Sequence, residues 1–310
     1  MCAEGYGPVI GGVETGGTKI VCALGTAPDR IVARTEVPTT ERPDLDLDRV
    51  ASFFADAGAG ERLSGLGIAS FGPCGVNRDS PTWGRVTTTP KPGWAGTDVV
   101  GTLRTALTVR GLGDVPIAFD TDVNAAAIGE HRFGAGAGLS SIAYVTVGTG
   151  IGAGIISEDR IVHGLVHPEA GHVLVPRGRT EVDGFVSVCP FHRSCLEGLA
   201  CGPAMAARWG VPAQELPPEH SGWQLEASYL GAGLHQLVCV VSPQRVIIGG
   251  GVGMAPGLLP LVRAALVASL DGYVDAEVIT SGARDYVVPA ALGADAGVTG
   301  ALVLAESVAA

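Results

Sequence analysis

One pattern occurs twice in this chain, and it narrows the possible folds more than any other feature. Residues 9–25 read Val-Ile-Gly-Gly-Val-Glu-Thr-Gly-Gly-Thr-Lys-Ile-Val-Cys-Ala-Leu-Gly. Residues 142–157 read Ile-Ala-Tyr-Val-Thr-Val-Gly-Thr-Gly-Ile-Gly-Ala-Gly-Ile-Ile-Ser. Each is a strand-forming run, a Gly/Thr turn and a second strand-forming run, the pattern of a β-hairpin. A glycine-rich hairpin turn presents successive backbone N–H groups in a concave nest that suits an anion. Either hairpin alone reads equally well as an ordinary tight turn. Two in one chain, starting 133 positions apart and both with Gly-Thr in the turn, favour a duplicated architecture with two phosphate-binding turns.

Around these hairpins, short β-branched runs alternate with helix-compatible segments, which predicts an α/β protein. Strands are predicted at 9–13, 19–24, 31–37, 65–71, 116–120, 142–147, 154–157 and 245–248. Helices are predicted at 47–57, 99–110, 123–132, 198–209, 225–241 and 258–269, with a Thr/Pro/Gly loop at 79–94. A length of 310 residues suits two lobes, and 46% hydrophobic residues supply a core. The 47 glycines cluster at the ends of Val/Ile runs, marking turns where backbone comes close to something.

Acidic residues outnumber basic ones by 31 to 20 with no Lys/Arg-rich run, so no nucleic-acid partner is expected. The start has neither a basic nor an apolar leader segment, and no apolar run is long enough for a bilayer, so no membrane partner is expected. Of seven cysteines, Cys2, Cys22, Cys74, Cys201 and Cys239 stand singly and read as buried or free thiols. The expected compartment is cytoplasmic.

Four further motifs carry chemistry. In the first hairpin, Gly16 and Gly17 let backbone approach closely, while Thr18 and Lys19 can meet phosphate oxygens and Glu14 can hold magnesium through water. The order of residues is not that of a Walker loop. Asp120-Thr-Asp122-Val-Asn124 ends a strand and opens a helix, the usual place for a functional carboxylate in an α/β fold. Asp122 there can take the proton of an attacking hydroxyl in phosphoryl transfer, or simply cap the helix. His172, Cys189, His192 and Cys195 form a donor set for tetrahedral zinc, with two residues between each of the last three. Glu169 and Glu197 lie beside this cluster, either as pinned carboxylates facing a ligand or as surface charges. Gly249, Gly250 and Gly251 end a buried strand, where adenine or ribose could slide against backbone or where a tight connection simply turns. His131, His163, His220 and His235 show no partner pattern.

Taken in order, these motifs resemble the ROK family of bacterial sugar kinases and regulators, and within it the fructokinase branch. The residues that carry the resemblance are Gly12–Lys19, Ser70-Phe-Gly-Pro73, Thr87-Thr-Thr-Pro-Lys-Pro-Gly-Trp94, Asp120–Ala127, Gly148-Thr-Gly-Ile-Gly152, His167-Pro-Glu-Ala-Gly-His172, the Cys/His cluster and Gly249–Gly251. The resemblance implies an actin-like ATPase (ribonuclease H-like) fold of two lobes with a nucleotide cleft. Residues 1–122 plus about 292–310 would form the lobe with the sugar and phosphate loop, a C-terminal helix returning to it. Residues 123–291 would form the nucleotide and zinc lobe. It implies ATP, Mg2+ and Zn2+ as cofactors and a homodimer as the assembly.

The family's catalytic aspartate falls on Asp122, and its sugar contacts on Thr89, Asn124, Glu169, His172 and Glu197. Its nucleotide contacts fall on Gly16, Gly17, Thr18, Lys19, Gly148, Thr149, Gly150, Gly152, Gly249, Gly250 and Gly251, and its zinc ligands on His172, Cys189, His192 and Cys195. Three departures from the wider family point to the fructokinase branch. Glu14 replaces an Asp, Thr121 replaces a sugar-binding Asn of glucokinase-like members, and His192 replaces one zinc thiolate. The implied reaction is fructose and MgATP to fructose 6-phosphate and ADP. Alternatives are a kinase for mannose, glucose or another hexose, and a non-catalytic sugar-sensing ROK protein.

Overall fold

In the computed structural model, residues 8–57, 63–178, 180–182 and 184–309 are described, so Cys2 lies outside them. The chain divides into two compact units. The first opens with β1 (Val9–Thr15), β2 (Lys19–Ala27) and β3 (Arg30–Pro38), an antiparallel meander. Helix α1 (Pro43–Ala57) follows, with proline in its first turn and Leu47, Val50, Ala51 and Phe54 buried at helical spacing. Burial of a side chain such as Phe54 stabilises by roughly 1.5–3 kcal/mol. Next come β4 (Leu63–Ser70), α2 (Val99–Val109), β5 (Ile117–Thr121) and α3 (Asp122–Phe133). Asp98 caps α2 by accepting a 2.8 Å bond from the Gly101 N–H. The sheet order is β3-β2-β1-β4-β5, with β1, β4 and β5 parallel.

The second unit repeats this design. Strands β6 (Ile142–Val147), β7 (Ile151–Ser157) and β8 (Arg160–Ile161) form its meander. Helices α4 (Leu196–Ala200), α5 (Gly202–Trp209) and α6 (Gly222–Val241) lead to β9 (Arg245–Gly249), then α7 (Leu258–Leu270), α8 (Glu277–Thr280) and β10 (Val287–Pro289). The order β10-β9-β6-β7-β8, with β6, β9 and β10 parallel, matches the first sheet strand for strand. The helix predicted over 198–209 is two helices, because Cys201 takes an extended conformation between α4 and α5.

Helix α9 (Ala296–Glu306) belongs to the first unit. It packs on α3, β1 and β4 through glycines: a Cβ on Gly67 would lie 1.8 Å from the Ala301 carbonyl, and one on Gly300 would lie 1.7 Å from that of Ala125. This packing keeps α3 in the first unit, which therefore runs through Phe133 and resumes at Asp295, with residues 163–167 added. The division expected at Asp122 and about residue 292 differs from that, since it left α3 with the second unit. No described helix is long and apolar enough to cross a membrane. The loop at 79–94 contains isolated bridges only.

Candidate active site

The parallel strands of the first unit end in a row of buried hydroxyls. Thr15, Ser70 and Thr121 stand side by side in register on β1, β4 and β5, and Thr15 Oγ1 donates to Ser70 Oγ at 3.1 Å. The carboxylates follow from this edge. Glu14 sits on β1 near Asp122 at the start of α3, and its carboxyl is pushed up to about 7, chiefly by burial and then by the Asp122 charge. The cap of α3 is Thr121, whose Oγ1 accepts a 3.1 Å bond from the Asn124 N–H. Asp122 Oδ1 accepts the adjacent Val123 N–H at 2.9 Å. The capping alternative for Asp122 thus has another residue in the role.

Asn124 is held by Asp120, whose buried Oδ1 accepts from Asn124 Nδ2 and from the Thr121 N–H, each at 2.7 Å. The same carboxylate meets His163 Nε2 at 3.0 Å through Oδ2, and this bond raises the imidazole above its ordinary value against the opposing effect of burial. Asn124 Oδ1 is buried without a hydrogen-bond partner among the described residues. His167 Nε2 accepts the Cys74 N–H at 3.2 Å, which pins the 163–167 segment to this unit.

In the glycine turn between β1 and β2, the Gly16 N–H donates to Lys19 O at 2.9 Å. Gly17, Thr18 and Lys19 are exposed. Lys19 Nζ is engaged by Glu36 at 2.7 Å. A second ammonium, that of Lys91, donates to Gly17 O at 2.7 Å. Thr89 Oγ1 accepts from the Lys91 N–H at 3.3 Å, and buried Trp94 donates to Thr40 O at 2.8 Å, so this loop is tied to the turn.

The second unit gathers its own set. Gly250 has φ of 81°, and a Cβ there would lie 2.4 Å from Val147 O, so the turn after β9 folds onto the end of β6. Gly148 and Thr149 meet Gly251 and the start of α5 in a cavity of about 400 Å3, where the Gly202 N–H donates to Gly148 O at 2.7 Å. Glu197 Oε2 accepts the Ile151 N–H at 2.9 Å, inside the run Gly148–Gly152, and its Oε1 lies 3.8 Å from His172 Nε2. Burial raises the nearby Glu169 carboxyl above its usual range, countered by His172 and reinforced by Glu197.

His172, Cys189, His192 and Cys195 converge, their donor atoms all within 4.8 Å of one another. Cys189 Sγ lies 3.9 Å from His172 Nδ1 and 3.6 Å from His192 Nδ1. A tetrahedral zinc with ordinary Zn–S and Zn–N bonds has S···N edges of about 3.5 Å, so the set fits that ion. Burial pushes the Cys195 thiol up to about 11, against the opposing effect of the Gly198 N–H, which donates to its Sγ at 3.3 Å.

The ROK family model matches residues 10–308. The chain belongs to the ROK family. A fructokinase from Pediococcus pentosaceus is 37% identical over 96% of this ROK chain and 98% of that protein. One from Zymomonas mobilis is 38% identical, covering 96% of each. The solved structure of a ROK family glucokinase from Streptomyces griseus, in complex with glucose and AMPPNP, superposes with a TM-score of 0.73. It is 25% identical and covers 96% of this chain and 99% of that one. The repeated 3-2-1-4-5 sheet of this ROK chain is the actin-like ATPase fold.

Sequence reasoning missed Asp120, His163 and Lys91 as parts of the site. For His163 the available signal was its place in the His-containing run that leads into Glu169.

Proposed function

We propose that this ROK protein is an ATP-dependent fructokinase, converting D-fructose and MgATP to D-fructose 6-phosphate and ADP. Relatives named fructokinase, at 37% and 38% identity over nearly the whole chain, support the substrate class. The observation that carries the chemistry is Asp122, set at the end of a parallel strand while Thr121 does the capping. In this reading the Asp122 carboxylate aligns the attacking hydroxyl and accepts its proton, since phosphoryl transfer asks mainly for positioning and charge neutralisation.

Gly16, Gly17, Thr18 and Lys19 in the first unit, and Gly148, Thr149, Gly150 and Gly152 in the second, hold phosphate. Gly249, Gly250 and Gly251 face the nucleoside, and Glu14 holds magnesium through water. Thr89, Asn124, Glu169, His172 and Glu197 contact the sugar. The unpartnered Asn124 Oδ1 is suited to accept a sugar hydroxyl. His172, Cys189, His192 and Cys195 hold a structural zinc, which fixes His172 and, through it, Glu197. Four protein ligands close the zinc shell, so the ion shapes the pocket and takes no part in proton transfer. The working assembly is a cytoplasmic homodimer.

A coupled ADP-release assay with fructose, mannose and glucose tests the reading. Fructose is the preferred substrate, and Asp122→Asn lowers kcat by roughly a hundredfold or more with nucleotide affinity retained. Wild-type protein that releases no ADP with fructose refutes the assignment; near-normal turnover in Asp122→Asn refutes the role of the base.

A further inference from the structure

We propose that Gln214 reads the edge of the nucleotide base and gives the site a preference for adenine over guanine. This inference rests on the nucleotide reading of the cavity in the second unit. That cavity, about 400 Å3 in volume, is of the size that holds a nucleoside. Its wall has two characters. Gly148, Thr149, Gly202 and Gly251 bring backbone to one part of it, while Pro203, Ala206, Pro212, Ala213 and Val252 present apolar surface that a flat ring can lie against.

Only two lining side chains can both donate and accept a hydrogen bond: Thr149 and Gln214. Thr149 sits at the tip of the turn between β6 and β7. Gln214 stands on the short 3-10 turn Ala213–Glu215, which the adjoining Ala213 anchors by burial. Its Nε2 reaches to 3.9 Å from the position that a Cβ on Gly251 would occupy, so the amide spans towards the glycine wall. Among the described residues Gln214 makes no hydrogen bond, and neither of its amide atoms is spent within the protein.

A carboxamide matches adenine because the exocyclic amine and a ring nitrogen stand next to each other as donor and acceptor. The amide oxygen accepts from the one and its NH2 donates to the other. Guanine offers two acceptors at the corresponding edge, so the amide oxygen would face a carbonyl oxygen and one bond would be lost. No lysine or arginine lines the cavity, which leaves the discrimination to this neutral group. Because Gln214 is exposed, the expected ratio lies at the lower end for such a pair, about tenfold.

The test is calorimetric titration of the intact protein with ADP and with GDP, which requires no turnover. Wild type binds ADP about tenfold more tightly than GDP, and Gln214→Ala brings the two within about twofold by weakening ADP alone. Gln214→Glu, which has acceptors only, loses ADP affinity as the alanine variant does. The KM for the sugar is unchanged in both variants, which excludes general damage. An ADP-to-GDP ratio that is the same in wild type and Gln214→Ala overturns the proposal while leaving the kinase reading intact. Wild-type protein that binds neither nucleotide overturns the nucleotide reading of the cavity itself.

Discussion

Glu226 sets the sign of a pH dependence in stability. It sits on α6, 1% exposed, and neither carboxyl oxygen has a hydrogen-bond partner among the described residues. Burial therefore pushes its carboxyl well above the ordinary 4.5, with only a partial opposing effect from Arg208. Arg208 is already committed to Glu181, at 2.7 Å through Nε, and to the Leu199 carbonyl. Between pH 4.5 and the raised folded value the folded state binds up to one more proton than the unfolded chain. Stability thus falls as pH rises through that window, by up to about 1.4 kcal/mol per pH unit. Glu226→Gln keeps the shape and removes the titration. At pH 4.5 the two proteins melt together. Above pH 4.5 the glutamine variant pulls ahead, and the gap in Tm widens with each pH step until the raised folded value is reached. The assay is differential scanning calorimetry of both proteins at half-unit steps from pH 4.5 to 7.5. A gap in Tm that stays constant across the series means Glu226 is charged and paired in the fold, and the burial argument fails.

Three further outcomes follow from the geometry. Carefully purified protein contains about one zinc per chain by metal analysis, and a Cys189→Ser, Cys195→Ser double variant contains none; equal zinc in both rejects the cluster. Gly300→Val forces α9 away from the Ala125 carbonyl and lowers stability by several kcal/mol, read as a fall in Tm, whereas a change below 1 kcal/mol contradicts the close packing. Thr121→Asn, which preserves a capping side chain, moves the fructose-to-glucose ratio of kcat/KM towards glucose by about tenfold; an unmoved ratio transfers the discrimination to the loop at 87–94.

The two hairpins were legible in the sequence because a glycine turn between β-branched runs permits few other structures. Both sheets then grow around them by the same strand order. What stayed hidden was short or uniform. Strands β8 and β10 have two and three residues, too few to show a period. Helix α9 is Ala-Gly-Val-Thr-Gly-Ala-Leu-Val-Leu-Ala-Glu, with no polar face, because it is buried against both α3 and the sheet. Only family resemblance supplied a returning helix, and no local pattern located it. The break at Cys201 was hidden for a different reason: Gly202 bonds to Gly148, a contact 54 positions away in sequence, and that tertiary bond overrides a continuous helical pattern.

The candidate site divides along the same line between local and distant chemistry. Glycine turns and the Cys/His cluster are signalled by neighbours in sequence, so their members could be named one by one. The cluster around Asp120 could not, because His163 reaches it from 43 positions away and carries no motif of its own. Yet that distant pair decides how the local motif is to be understood. Asp120 holds the amide of Asn124, and Thr121 caps the helix through the Asn124 N–H. Two of the four polar residues in Asp120-Thr121-Asp122-Asn124 are thus consumed by holding a third in place. Asp122 opens the helix that Thr121 caps. A reading of the sequence alone weighs Asp122 as cap or base without a means to separate them. In the structure Thr121 supplies the cap, and that division of labour supports the proposal that Asp122 is the proton acceptor.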